Sequence, residues 1–138
     1  MLSPFHAPLF VLAALIGAIW LLAVVQRVQE IATRRIHPQA LINAQTTASM
    51  LKNGAAMDNF NNLMEMPLLF GLLCLLLAQL QVQSGWLLAG AWLYVGLRVV
   101  HSLIQVSYKR VMHRFPVWVA SCVVLWGLWM RAAWVVWG

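Results

Sequence analysis

At 138 residues, 63% hydrophobic and only 9% charged, the chain is far from a soluble domain, where roughly 25% of residues are charged. A mean hydropathy of +0.81 makes lipid its natural solvent, and the length leaves no room for a separate soluble module. The net charge of +6 raises nucleic acid as a partner, but the placement of the cations argues against it.

Four apolar runs, near residues 9–25, 60–80, 86–108 and 116–137, each approach the ~20 residues a helix needs to cross the hydrocarbon core. Bare backbone cannot be left unpaired in lipid, so four transmembrane helices in one all-α domain are expected. No Lys or Arg precedes the first run, and it is long for a cleavable signal, so it is read as a retained span. It should continue as a helix from Gln26 to about Ile36, where His37-Pro38 stops it. The polar stretch 37–57 reads as a loop with a turn signal at Lys52-Asn53-Gly54. The second span should start near Asp58, as N-cap or first-turn acid, and be kinked or loosened by Pro67. Short links at Gln81–Gly85 and Lys109–Pro116 make spans two and three, and three and four, antiparallel neighbours.

Arg27, Arg34, Arg35, Lys52, Lys109, Arg110 and Arg114, seven of the nine cations, fall in or beside segments 26–58 and 109–115. The positive-inside rule assigns those segments to the cytoplasm and both termini to the outside. Trp86, Trp134 and Trp137 then fall at the outer interface, and Arg131 reads as a cation snorkelling there. The remaining tryptophans of span four read as lipid-facing bulk. Cys74 and Cys122 are expected as small apolar fillers, with neither disulfide nor metal-ligand spacing between them.

Two polar stripes interrupt the apolar pattern. Asp58, Asn61, Asn62 and Glu65 fall on one helical face of span two; Arg98, His101, Ser102 and Gln105 do so on span three, with Lys109 continuing the stripe. Ionisable groups inside a membrane are costly and usually face a bundle interior or a polar cavity. At 1.5 Å per residue, Glu65, His101 and Arg98 sit about 9, 12 and 16 Å below the boundary, so they can meet. Glu65 and Arg98 are either a buried ion pair joining two helices or part of a site. His101 is either a helix-bonding group or a ligand contact, and the asparagines can be interhelical glue worth about 1 kcal/mol each. Tyr94 and Tyr108 flank the stripe as usable hydroxyls or as packing residues.

Asn62-x-x-Glu65 with Pro67-Leu68-Leu69-Phe70, then Arg98-x-x-His101-Ser102 and Arg110-Val-Met-His113-Arg114-Phe115, together resemble the MAPEG family, membrane-associated proteins in eicosanoid and glutathione metabolism. The likeness is nearest its bacterial branch, and so implies a bacterial inner membrane. It further implies a homotrimer of four-helix bundles with active sites between subunits, open to the cytoplasm and holding glutathione. By position it gives Arg114 as the thiolate-stabilising residue and Glu65 as the partner of the glutathione amine. Asn62, Arg98 and His101 match the family's binding positions, and Asn61, Ser102, Gln105 and Tyr108 complete the implied cofactor-binding set. Asn61 stands where the family usually has Arg, and Gln105 where it has Tyr, with Tyr108 one turn further on; the implied site has fewer cations.

The leading expectation is a glutathione-dependent transferase or peroxidase acting on hydrophobic electrophiles or lipid hydroperoxides. A non-catalytic trimer that binds lipid or scaffolds a membrane partner is the alternative. A small multidrug-type transporter shares the four spans and a buried acid, but such carriers place the acid in span one, which here is free of charge.

Overall fold

The computed structural model describes residues 3–50, 54–108 and 110–138. The signals placed on Lys52, Asn53 and Lys109 lie outside them. The described chain is helical: α1 (His6–Arg34), a 3-10 turn (Pro38–Leu41), α2 (Ala44–Met50), α3 (Ala55–Met64), α4 (Met66–Gln79), α5 (Gly85–Ser107) and α6 (Val111–Trp137). Four stretches are long and apolar enough to cross a membrane: α1, α3 with α4, α5, and α6.

Helix α1 outruns its apolar segment at both ends, and α3 and α6 begin about five residues before theirs, because hydropathy marks the lipid-embedded part and not the polar turns at the ends; α5 matches its segment to within one residue. Helix α1 ends where a Schellman motif takes its last carbonyls: Arg35 N–H reaches Ala32 O (3.4 Å) and Ile36 N–H reaches Ile31 O (3.1 Å). Arg35 adopts the left-handed conformation there, at φ 48°. His37 is extended, as a residue before proline must be, and its Nδ1 accepts the Gln39 N–H at 3.3 Å. The stretch read as a plain loop thus holds the 3-10 turn and α2. It is tied back to α1 through Arg34, whose Nη1 donates to the Met50 carbonyl and to Glu30 Oε1.

The second span begins at Ala55, with Gly54 as N-cap. Asp58 is therefore not the cap but an exposed acid in the first helical turn, where it favours the positive end of the helix dipole. The span breaks at Glu65 (φ −89°, ψ −96°). Pro67 is the physical reason: it has no N–H for the Leu63 carbonyl, and its ring clashes with the preceding turn. The break divides the span between neighbours. Helix α3 packs on α1 and α5, and α4 packs on α1 and α6, while α5 and α6 run closely side by side.

The interior has two unlike halves. Near the chain ends it is apolar, formed by Phe5, Leu12, Leu73, Leu77, Leu87, Leu125 and Ala132 among others. Toward the α1–α3 and α5–α6 links it is polar, with Asn59, Arg98, His101, Ser102 and Gln105 each no more than 1% exposed. Phe70 and Tyr94 stack at the junction, ring centroids 4.5 Å apart. Outward faces carry Leu68, Leu72, Leu103, Val123 and Met130, as a lipid-facing surface should.

Candidate functional site in the polar half of the bundle

Helix α5 brings Arg98, His101, Ser102 and Gln105 to one buried face because they recur every three or four residues. Helix α3 meets that face with Asn59 and Asn62. Ser102 Oγ donates to Asn59 Oδ1 at 3.3 Å, and Arg98 Nη2 donates to the Asn62 carbonyl at 2.9 Å. The side-chain amides of Asn62 and Gln105 touch at 3.4 Å.

Gln105 is the junction of the site. With its amide turned, which exchanges the Asn62 Nδ2 hydrogen bond for others, its nitrogen donates to His101 Nε2 at 3.2 Å. Its oxygen then accepts from the Asn59 N–H at 3.2 Å and from Arg114 Nη1 at 3.3 Å. Gln105 therefore links helices α3, α5 and α6.

A cleft of about 260 Å³ opens beside this network, lined by Asn62, His101, Arg114, Phe115 and Trp118. Several buried polar atoms of the polar half have no hydrogen-bond partner among the described residues: His101 Nδ1 at the cleft, and Arg98 Nε and Nη1, Asn59 Nδ2 and Tyr94 Oη behind it. Leaving a buried polar group unpaired costs about 1–3 kcal/mol, more when it is charged, so such a cluster is unusual unless something else supplies the partners. The electrostatics are one-sided. Arg98 and Arg114 bring two guanidinium groups, and the one ion pair among the described residues is Arg34–Glu30, outside the site.

The structure gathers some of the expected residues and separates others. Asn62, His101 and Arg114 line the cleft, and Gln105 braces two of them from behind. Arg98 is wholly buried, but against the end of α3. Glu65 makes no ion pair with Arg98; it is exposed at the helix break, yet near enough to act electrostatically on the Arg98 guanidinium. Ser102 is committed to Asn59. Asn61 is exposed, about 100° around the helix from Asn62. Tyr108 is also exposed and points to His113, Oη to Nδ1 3.3 Å, with the rings edge-on.

Three contributors went unmarked in the sequence reading. Asn59 lies one turn before Asn62 and shares its buried side, a spacing that was available. Phe115 and Trp118 belong to the cleft, so Trp118 is not lipid-facing bulk; it follows Arg114 by four residues, one helical turn. Trp126, Trp134 and Trp137 do face outward, and Trp129 packs against the apolar core. Cys74 is buried, Cys122 partly so, and both are free.

Neither the curated proteins nor the solved structures give a match to the chain. The family profile described as MAPEG family matches residues 5–134, nearly the whole chain, and its four-span helical layout is the one found here. The chain belongs to the MAPEG family.

Proposed function

We propose that the protein is a membrane-embedded, glutathione-dependent transferase or peroxidase acting on hydrophobic electrophiles or lipid hydroperoxides. The observation that carries the reading is the cleft, where the Arg114 guanidinium and the His101 imidazole meet beside unpaired buried donors. A guanidinium favours the charged form of a thiol, and a thiolate is the reactive form. The donor set suits an anionic, thiol-bearing ligand: Arg114 and His101 for negative charge, Asn62 for an amide or carboxylate. Glutathione, when bound, supplies the thiol that adds to an electrophilic carbon or reduces a hydroperoxide.

At about 260 Å³ the cleft is somewhat below the ~300–1,000 Å³ of typical ligand sites. We read it as one chain's share of a site completed by a neighbouring subunit, in a homotrimer like that which the family likeness implies. Exposed Glu65 is then free to serve the ligand amine from its own chain or from the next. The positive-inside rule supports a cytoplasmic position for this end, where glutathione is plentiful, with hydrophobic substrate arriving through the bilayer.

A second reading, a non-catalytic trimer that binds lipid or scaffolds a partner, draws on Asn61, Glu65 and Tyr108 all lying outside the cleft. Calorimetry with glutathione and the detergent-solubilised oligomer separates the two. The first reading expects saturable binding, lost in Arg114→Ala and weakened in Glu65→Gln. An intact oligomer that takes up no glutathione supports the second.

A further inference from the structure

At the opposite end of the bundle, away from the polar half, a groove of about 440 Å³ runs between α5 and α6. Its floor is apolar, made by Leu87, Gly90, Val124, Gly127 and Leu128. Gly90 makes the floor possible, since a Cβ there would lie 2.5 Å from Leu128 Cδ2. Gly127 has open space where its Cβ would be, so the groove is unfilled on that side. The volume is within the ~300–1,000 Å³ of small-molecule sites.

The rim carries what points to an occupant. Trp86, 83% exposed, stands at the start of α5, and Arg131 lines the groove from α6. Arg131 is exposed and has no hydrogen-bond or ion-pair partner among the described residues. It is also the lone Lys, Arg, Asp or Glu in the sequence near the end of the bundle formed by both termini and the Gln81–Gly85 link. It sits about 9 Å along α6 from the exposed Trp137. A solitary cation within a span, below an interfacial tryptophan, can lean its long side chain up to the headgroup level, where lipid phosphates are the anions at hand. A guanidinium binds phosphate in a bidentate manner.

We propose that this groove holds one phospholipid of the leaflet beside the chain ends, its phosphate on Arg131 and one acyl chain along the Gly90–Gly127 floor. Trp86 flanks the glycerol region. The site is separate from the cleft and does not depend on whether the protein is an enzyme.

Native mass spectrometry of the detergent-solubilised protein tests this, with dioleoylphosphatidylglycerol and the phosphate-free dioleoylglycerol as probes. The expected result is at least tenfold preferential retention of phosphatidylglycerol. Arg131→Gln should remove the preference and Arg131→Lys should keep most of it. Gly127→Leu, which fills the groove from its open side, should reduce both adducts. Unchanged phosphatidylglycerol retention in both Arg131→Gln and Gly127→Leu overturns the proposal. So does loss of the oligomer in Gly127→Leu with lipid retention intact, which would give the groove to a second copy of the chain. Tryptophan-fluorescence melting establishes that each variant is folded, and if Gly127→Leu is not, the Arg131 pair decides alone.

Discussion

Arg98 reaches across 36 residues of sequence to place Nη2 2.9 Å from the carbonyl oxygen of Asn62, one turn before the second span breaks. A carbonyl at a helix end inside a membrane has no water to turn to, and the buried guanidinium takes that role. Arg98→Met should therefore lower stability by about 1.5–3 kcal/mol, the scale of a hydrogen bond to a charged group. Pro67→Ala restores the missing N–H and should let the helix straighten, so the double variant should lose less than the sum of the two single losses. Melting of the four proteins in one detergent measures the coupling, and strict additivity would remove Arg98 from the role of a cap.

Arg114 and His101 are both held by the Gln105 amide. Gln105→Leu should leave the helices in place while freeing both groups from their common brace. We expect glutathione binding to fall at least tenfold, with a stability loss of about 1–3 kcal/mol from the donors left unpaired. Arg114→Ala should abolish thiol transfer, whereas Arg114→Lys, which keeps the charge but loses the fork, should retain a part of it. Calorimetry and a thiol-transfer assay on the same preparations check both outcomes.

The α5–α6 contact at Gly90 leaves no space. Gly90→Val should destabilise by about 1–3 kcal/mol through overpacking on Leu128, and Leu128→Ala in the same chain should recover much of the loss. Gly127→Ala, facing open space, should change stability by less than about 0.5 kcal/mol. Thermal unfolding of these three variants separates a required glycine from an incidental one.

Arg35 holds a left-handed conformation that costs a non-glycine residue about 1–2 kcal/mol. Arg35→Gly should raise the melting temperature if its side chain does nothing else. A fall instead would mean that the Arg35 side chain holds the segment after α1.

Much of this was legible because membranes make a sequence plain. Apolar runs of the right length gave the spans, and a three-to-four residue period gave the buried face of α5, Arg98 through Gln105, almost residue by residue. What escaped was what depends on one backbone angle. Pro67 announced a disturbed turn, but not that Glu65 would be exposed at the break and stop short of an ion pair with Arg98. Trp118 and Tyr108 escaped for a related reason. A tryptophan in an apolar helix reads as lipid-facing until its azimuth relative to Arg114 is known, and a tyrosine at a helix end follows whichever neighbour, here His113, the link brings near.

The division of the interior has a consequence for how the molecule answers a ligand. The half around Phe5, Leu77 and Ala132 is held mainly by apolar packing, which a ligand bound in the cleft leaves largely as it is. The half around Asn59, Arg98 and His101 holds donors and acceptors still without partners, so its order is partly on loan from whatever enters the cleft. Amide exchange should accordingly slow on ligand binding in α3 and the last turns of α5, and stay unchanged in α4 and the first turns of α5. The two ends of the bundle thus differ in kind, apolar at one and polar at the other, and the broken second span lies between them.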